Sequence, residues 1–206
     1  SAQSSGIFSS EIAPVHVPKR RGESLLINED EEPGKAKFEK ISKLHPAFET
    51  EGTITAANAS KLNDGAASLL IMSEDKAKGM DFKPIAKIIA QSSAAHAPEW
   101  FTTAPGKAID KVLKKSSLSK EDIDIWEINE AFSSVAMAAI DDYNIEPEKV
   151  NIYGGAVALG HPIGASGARI LTTLLYALKR ENLTYGLATL CIGGGEASAV
   201  IIKRYD

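Results

Sequence analysis

Two hundred and six residues suffice for one large or two small domains, and 44% apolar with 24% charged residues is ordinary globular composition, which excludes disorder of the whole chain. Twenty-three basic against 27 acidic residues, net −4, give no support for a nucleic-acid partner. The apolar runs at 69–72 and 135–140 are too short to span a bilayer, and residues 1–10 lack the basic and apolar regions of a signal peptide. The single cysteine, Cys191, excludes an internal disulfide framework and a cysteine-based zinc site and suits a reducing compartment. A lone cysteine is most often an inert core atom.

Residues 9–17 read as a short extended stretch, followed by the basic run Lys19, Arg20 and Arg21. After the acidic residues 28–32, Pro33-Gly34 breaks the chain, and Phe38, Ile41 and Leu44 then recur at a spacing of three that suits one helical face. Residues 66–73 are a candidate buried strand, 74–79 a short helix ended by glycine, and 84–93 an isoleucine-rich strand. Pro105 opens a helix that runs to about Lys115. A strand at 123–128 leads into an apolar helix at 130–143, and a long amphipathic helix covers 165–180. Residues 185–192 and 197–203 flank a glycine triplet as a closing hairpin. Alternating strands and helices predict a layered α/β domain over residues 64–206, with a smaller irregular region before it.

Three strings could carry chemistry. Ile128-Asn129-Glu130-Ala131-Phe132 joins a strand end to a helix start, where asparagine commonly caps. Residues 154–167 hold five glycines, which let the backbone approach a ligand, and His161, which titrates near neutrality. No lysine stands where a Walker loop needs one. Cys191-Ile192-Gly193-Gly194-Gly195 delivers a thiol onto amides able to hold an oxyanion. A fourth stretch, residues 55–60, is small and polar and could lie along an extended ligand.

In order and spacing, these strings resemble the thiolases, and Leu62-Asn63-Asp64-Gly65-Ala66-Ala67 fits the same family. Ala56-Ala57 and Trp126-Glu127-Ile128-Asn129 look most like its acetyl-CoA acetyltransferase branch, of the mitochondrial acetoacetyl-CoA type. The resemblance implies a layered α/β/α C-terminal domain at 63–206. Residues 1–62 would be the latter part of the loop domain that covers coenzyme A. The first thiolase domain is expected to be absent, and with it the nucleophilic cysteine. The implied reaction is Claisen condensation of two acetyl-CoA to acetoacetyl-CoA and the reverse thiolysis, with the isolated chain inactive.

The same resemblance assigns the base to Cys191. His161 would activate the nucleophile and form part of an oxyanion hole completed by a water on Asn129, and the Gly193 N–H would serve a second hole. Ser60 would meet the pantetheine arm, Lys35 and Lys40 the nucleotide end of coenzyme A, and Phe101 the acyl pocket. No cofactor is required beyond coenzyme A as substrate. A potassium ion on backbone groups of Ala56, Ala57, Ala59 and Val157 belongs to the mitochondrial type. Expected partners are acyl-CoA molecules and the missing N-terminal half, in a dimer or tetramer, without nucleic acid or membrane. The expected compartment is the cytoplasm or the mitochondrial matrix. A non-catalytic CoA-binding or scaffold fragment is the alternative. A ketoacyl synthase relative would carry a second histidine where Cys191 stands.

Overall fold

The computed structural model describes residues 1–205, and its first sixty residues contain only short elements. A 3-10 turn at Ile7–Ser10 precedes β1 (Val15–Val17), which pairs antiparallel with β2 (Leu25–Ile27). Helix α1 is a single turn, Glu32–Lys35. The expected amphipathic helix at 35–44 is instead a 3-10 helix, Phe38–Lys43, with Phe38, Ile41 and Leu44 exposed. A spacing of three is the 3-10 period itself, so those residues line up without reaching the core. This region rests on the main domain through buried Phe8, whose ring meets Tyr153 edge-on, and through Arg180 Nη2, which donates to the Ile7 carbonyl at 2.8 Å.

Residues 66–73 form no strand. The segment holds no regular secondary structure, and Leu70 and Ile71 are exposed. Its apolar content is strand-like, but it pairs with no strand among the described residues, although residues 86–95 form an unpaired edge of the main sheet and, at 86–88, border the same cavity as 68–72. Helix α2 (Glu74–Gly79) follows, capped by the Ser73 hydroxyl, which accepts from the Lys76 N–H.

The remaining elements match the expected alternation. They run β3 (Ala86–Ala95), α3 (Ala104–Ser116), β4 (Ile125–Ile128), α4 (Ser133–Tyr143), α5 (Ala156–Leu159), α6 (Ser166–Arg180), β5 (Tyr185–Ile192) and β6 (Glu196–Arg204). The sheet order is β3-β6-β5-β4, with β5 parallel to β4 and antiparallel to β6. One face packs Trp126, Ile128, Leu187 and Ile201 against Ile109 and Val112 of α3 and Val135 of α4. The other packs Ile125, Ala188 and Ile202 against Ile170, Leu174 and Leu178 of α6. Helices on both faces of one sheet make the α/β/α layering the sequence predicts.

Strand β4 lies at the sheet edge yet is buried along its whole length. Asn151 closes that edge. Its Oδ1 accepts from the Ile128 N–H at 2.8 Å and its Nδ2 donates to the Ile128 carbonyl at 2.9 Å, as a neighbouring strand would. Glu127, on the α6 face of β4, is wholly buried, and neither carboxylate oxygen has a hydrogen-bond partner. Burial pushes its proton affinity from the ordinary value near 4.5 up to about 8. The native state then keeps a proton that the unfolded chain releases. Stability is therefore greatest at low pH with respect to this group and falls as pH rises between about 4.5 and 8. Urea titrations across that window should show Glu127→Gln removing part of the fall. An unchanged slope would show that Glu127 is ionised in the native protein.

Candidate active site

Parallel pairing of β4 with β5 brings their C-terminal ends together, the place where layered α/β sheets put their sites. Asn129 leaves β4 with its N–H on the Thr189 carbonyl at 3.0 Å, and Cys191 stands two residues further along β5. Asn129 does not cap α4, whose N-cap is Phe132. Its side chain is buried and turned to His161, with Nδ2 at 3.4 Å from the imidazole Nε2.

His161 reaches this point through its glycine-rich loop. Gly160 has φ 93°, and a Cβ there would lie 2.3 Å from Asn63 Oδ1. The His161 N–H donates to the Lys61 carbonyl at 2.8 Å, so residues 61–65 strap the loop from outside. The ring's Nδ1 is 2.5 Å from Ser166 Oγ, and that hydroxyl also donates to the Pro162 carbonyl at 3.1 Å. A hydroxyl has one proton, so Ser166 accepts from Nδ1–H and leaves the Nε2 lone pair to accept from Asn129 Nδ2. Burial, with a smaller contribution from the Arg169 charge, lowers the proton affinity of His161 below that of free imidazole. Ser166→Ala removes the acceptor that sets this tautomer. Nitrogen NMR of the ring should then show a mixture of tautomers in place of the Nδ1–H form. An unchanged tautomer would show that Ser166 does not set it.

Cys191 is buried with the core on the α3 and α4 face, and burial holds its thiol above the ordinary range. The β5–β6 turn beside it depends on Gly195, with φ 85° and its carbonyl accepting from the His96 N–H at 2.9 Å. The Gly193 N–H enters no backbone hydrogen bond in this turn. The remaining candidates divide. Ser60 donates through both N–H and Oγ to the Ala131 carbonyl, each at 3.0 Å, and Ala59 bridges Phe132. Phe101 and Phe48 flank the Phe132 ring, with centroids 6.2 and 5.9 Å away. Val157 donates its N–H to Glu130 Oε2 at 3.0 Å. These groups all border the 129–132 loop. Lys35 and Lys40 do not, being exposed on α1 and on the 3-10 helix. Lys35 is engaged by Glu31 and Glu32 at 2.8 and 2.9 Å, which raises its proton affinity to about 12.

Sequence reasoning did not single out Ser166, Asn151 or Asn63. Glu130 was read only as part of a string, yet it ties the site together, accepting from Asn151 Nδ2 at 3.1 Å as well as from Val157. Glycine is needed opposite it, since a Cβ on Gly155 would stand 2.5 Å from its carboxylate. That requirement leaves a trace in the sequence as the first glycine pair of the loop.

An asparagine, a histidine and a cysteine thus gather where parallel strands end, on a layered α/β sheet. The family described as "Thiolase, C-terminal domain" matches residues 82–204, and "Thiolase, N-terminal domain" matches residues 1–75. The chain belongs to the thiolase family. The second match corrects the expectation that the first domain is absent, because residues 1–75 carry sequence of that N-terminal domain. A probable acetyl-CoA acyltransferase of Staphylococcus aureus (strain MSSA476) is 49% identical over 205 residues, 99% of this chain and 52% of the relative. The crystal structure of the Bacillus anthracis acetyl-CoA acetyltransferase superposes with a TM-score of 0.95 at 43% identity, covering 99% of this chain and 52% of that one. A thiolase from Ascaris suum in complex with coenzyme A gives a TM-score of 0.88 at 44% identity, with the same two coverages of 99% and 52%. The chain spans about half the length of the curated relatives it matches. Among the described residues, no helix is long and apolar enough to cross a membrane.

Proposed function

We propose that this chain supplies the proton-transfer half of a thiolase active site that condenses two acetyl-CoA to acetoacetyl-CoA and catalyses the reverse thiolysis. The observation that carries this reading is the His161–Asn129 pair, with an unprotonated imidazole Nε2 that accepts from Asn129 Nδ2, at the same sheet end as Cys191. The chemistry needs two sulfur groups. One thiolate attacks the carbonyl of a first acetyl-CoA, forms a thioester and releases coenzyme A, whose sulfur takes the proton of the second thiol and leaves that group as a thiolate. The other removes a proton from the methyl carbon of a second acetyl-CoA, and the resulting carbanion attacks the thioester and expels the first thiolate. The chain holds one cysteine. Cys191 takes the second task, and the first thiolate comes from thiolase sequence beyond the half matched here.

His161 Nε2 takes the proton of that first thiol. The protonated imidazole then holds the enolate oxygen directly, together with a water ordered by Asn129 Nδ2. The Gly193 N–H polarises the thioester carbonyl, a contribution of ~3 kcal/mol for a preorganised donor. Ser60 and Phe101, on the border of the 129–132 loop, contact the pantetheine arm and the acyl group. Lys35 and Lys40 face the phosphates of coenzyme A from solvent. The solved Ascaris suum relative is a complex with coenzyme A. The assembled enzyme is a dimer or tetramer acting in the cytoplasm or the mitochondrial matrix.

The proposal extends to a potassium ion beside the loop next to this site. The carbonyls of Ala56, Ala57, Ala59 and Val157 accept no backbone hydrogen bond, and free carbonyl oxygens suit a hard cation. When bound, the ion would brace the 55–60 turn against α5, and no proton moves through it.

The test is complementation. The chain alone should show no thiolysis of acetoacetyl-CoA. Mixing it with the remaining half of a thiolase chain should restore turnover. Saturable coenzyme A binding with no turnover in the mixture would instead establish a non-catalytic CoA-binding fragment.

A further inference from the structure

Glu32 and Lys61 have no part in the mechanism above, yet they meet across 29 residues of sequence, with Lys61 Nζ 2.7 Å from Glu32 Oε2. The other oxygen of the same carboxylate, Oε1, accepts from Lys35 Nζ at 2.9 Å, and Lys35 also reaches Glu31 at 2.8 Å. Most surface ion pairs contribute little, because water competes for both charges. This one differs in two respects. Both Glu32 oxygens are engaged, and its side chain is only 18% exposed, against 60% for Lys61. A network of several charges is the case in which such pairs do count.

The backbone of Lys61 is where this network meets the site. Its carbonyl accepts from the His161 N–H at 2.8 Å. Upstream, Ser60 is fixed to the Ala131 carbonyl. Downstream, a Cβ on Gly65 would stand 2.8 Å from Pro162 Cγ, and Asn63 fills the space beside Gly160. Residues 61–65 therefore press on Gly160, His161 and Pro162 in turn. Among the described residues, the Lys61 side chain bonds to Glu32 alone. Helix α1, which carries Glu32, also lies against α5, the helix whose C-cap is Gly160. Helix α1 thus reaches His161 from two directions, through α5 in the chain before it and through Lys61 on the strap across from it.

We propose that Glu32 is a positioning residue for His161 that acts through Lys61 and the strap. A backbone carbonyl directs a neighbouring N–H only as well as it is itself held. The ion pair fixes Lys61 by its side chain and keeps its carbonyl aimed at the His161 amide. The place of that amide sets where the imidazole stands between Ser166 Oγ and Asn129 Nδ2, at 2.5 and 3.4 Å. The contact at 3.4 Å is already long for a hydrogen bond, so a small shift of the loop breaks it first. Glu32 and Lys61 both lie in the stretch that matches the thiolase N-terminal domain, and His161 in the stretch that matches the C-terminal domain. The pair therefore ties the one stretch to the proton-accepting histidine of the other.

This inference rests on His161 being the group that takes a proton, but its test needs no turnover. Hydrogen exchange of the His161 amide is followed by NMR in the chain itself at low salt. Glu32→Gln and Lys61→Met should each speed that exchange roughly 3-fold, while Lys61→Arg should keep the wild-type rate. The double variant should be no faster than either single one, because both remove the same pair. Amides of buried sheet residues such as Leu187 and Ile201 should not change, which separates a loosened strap from a general loss of stability. The His161 Nε2 resonance should shift in Glu32→Gln, as the contact with Asn129 weakens. Raising the salt to about 1 M should erase the difference between wild type and Glu32→Gln. Unchanged exchange at His161 in Glu32→Gln, equal acceleration throughout the sheet, or additive effects in the double variant would each overturn the proposal. So would a wild-type His161 amide that exchanges as fast as an unprotected peptide. Absence of thiolase turnover in the complementation assay leaves these exchange outcomes intact, so the two readings fail separately.

Discussion

Cys191→Ser in the assembled enzyme should lower both condensation and thiolysis by ~10²–10⁴-fold, with KM for acetyl-CoA little changed. Removal of a proton from a thioester methyl group requires a base that is strong yet present as an anion. A serine hydroxyl is almost never ionised near neutrality. The cysteine is already held above its ordinary range by burial, so its anion is scarce and reactive. The loss should therefore appear in the chemical step and equally in both directions, since one catalyst serves forward and reverse reactions. Acylation of the first thiolate should survive, because the proposed mechanism gives that step to His161 and not to Cys191. Trapping of acetylated enzyme with radiolabelled acetyl-CoA would check this. A variant that fails to acylate would move Cys191 into the nucleophile's role.

Gly195→Ala should be the most damaging single substitution in the β5–β6 turn. Its φ of 85° lies where side chains are strained, and an added Cβ would meet the His96 carbonyl at 2.4 Å and the Pro98 backbone at 2.9 Å. Backbone atoms cannot swing aside as a flexible side chain can. The left-handed conformation alone costs about 1–2 kcal/mol, and the clash adds to it. A loss of ~3 kcal/mol is expected in urea unfolding, within the range set by strain at special backbone positions. Gly193→Ala makes the informative control, because a Cβ there meets nothing within 4 Å. That variant should remain stable. Equal destabilisation of the two variants would show that general chain stiffness, and not the close approach at residue 195, governs the turn.

The strands and helices from residue 86 onward were legible because each carries its own period and its own end signals. Helix α6 shows its stripe in Ile170, Leu174, Ala177 and Leu178, all buried as the spacing requires. The 66–73 segment was misread because a strand is a property of two edges, and only one of them is written in that stretch. Phe38, Ile41 and Leu44 were misread because a spacing of three is shared by two kinds of helix. At the site, His161, Asn129 and Cys191 could be found because each stands in a run of small residues or at the end of an apolar strand. Ser166 and Asn151 could not, since their roles arise from folding back on residues 5 and 23 positions away. Glu127 was hidden differently. Within the strand it looks like an ordinary solvated alternation, and only the α6 layer makes it buried and unpaired.

The most direct measurement is proton exchange. Acetyl-CoA is incubated in deuterated water with the assembled enzyme, and deuterium in its methyl group is followed by mass spectrometry. Wild-type enzyme should introduce deuterium without requiring condensation, and Cys191→Ser should reduce the exchange to the uncatalysed rate. Exchange that persists in the serine variant would show that another group takes the proton, and would contradict the assignment of Cys191 as the base.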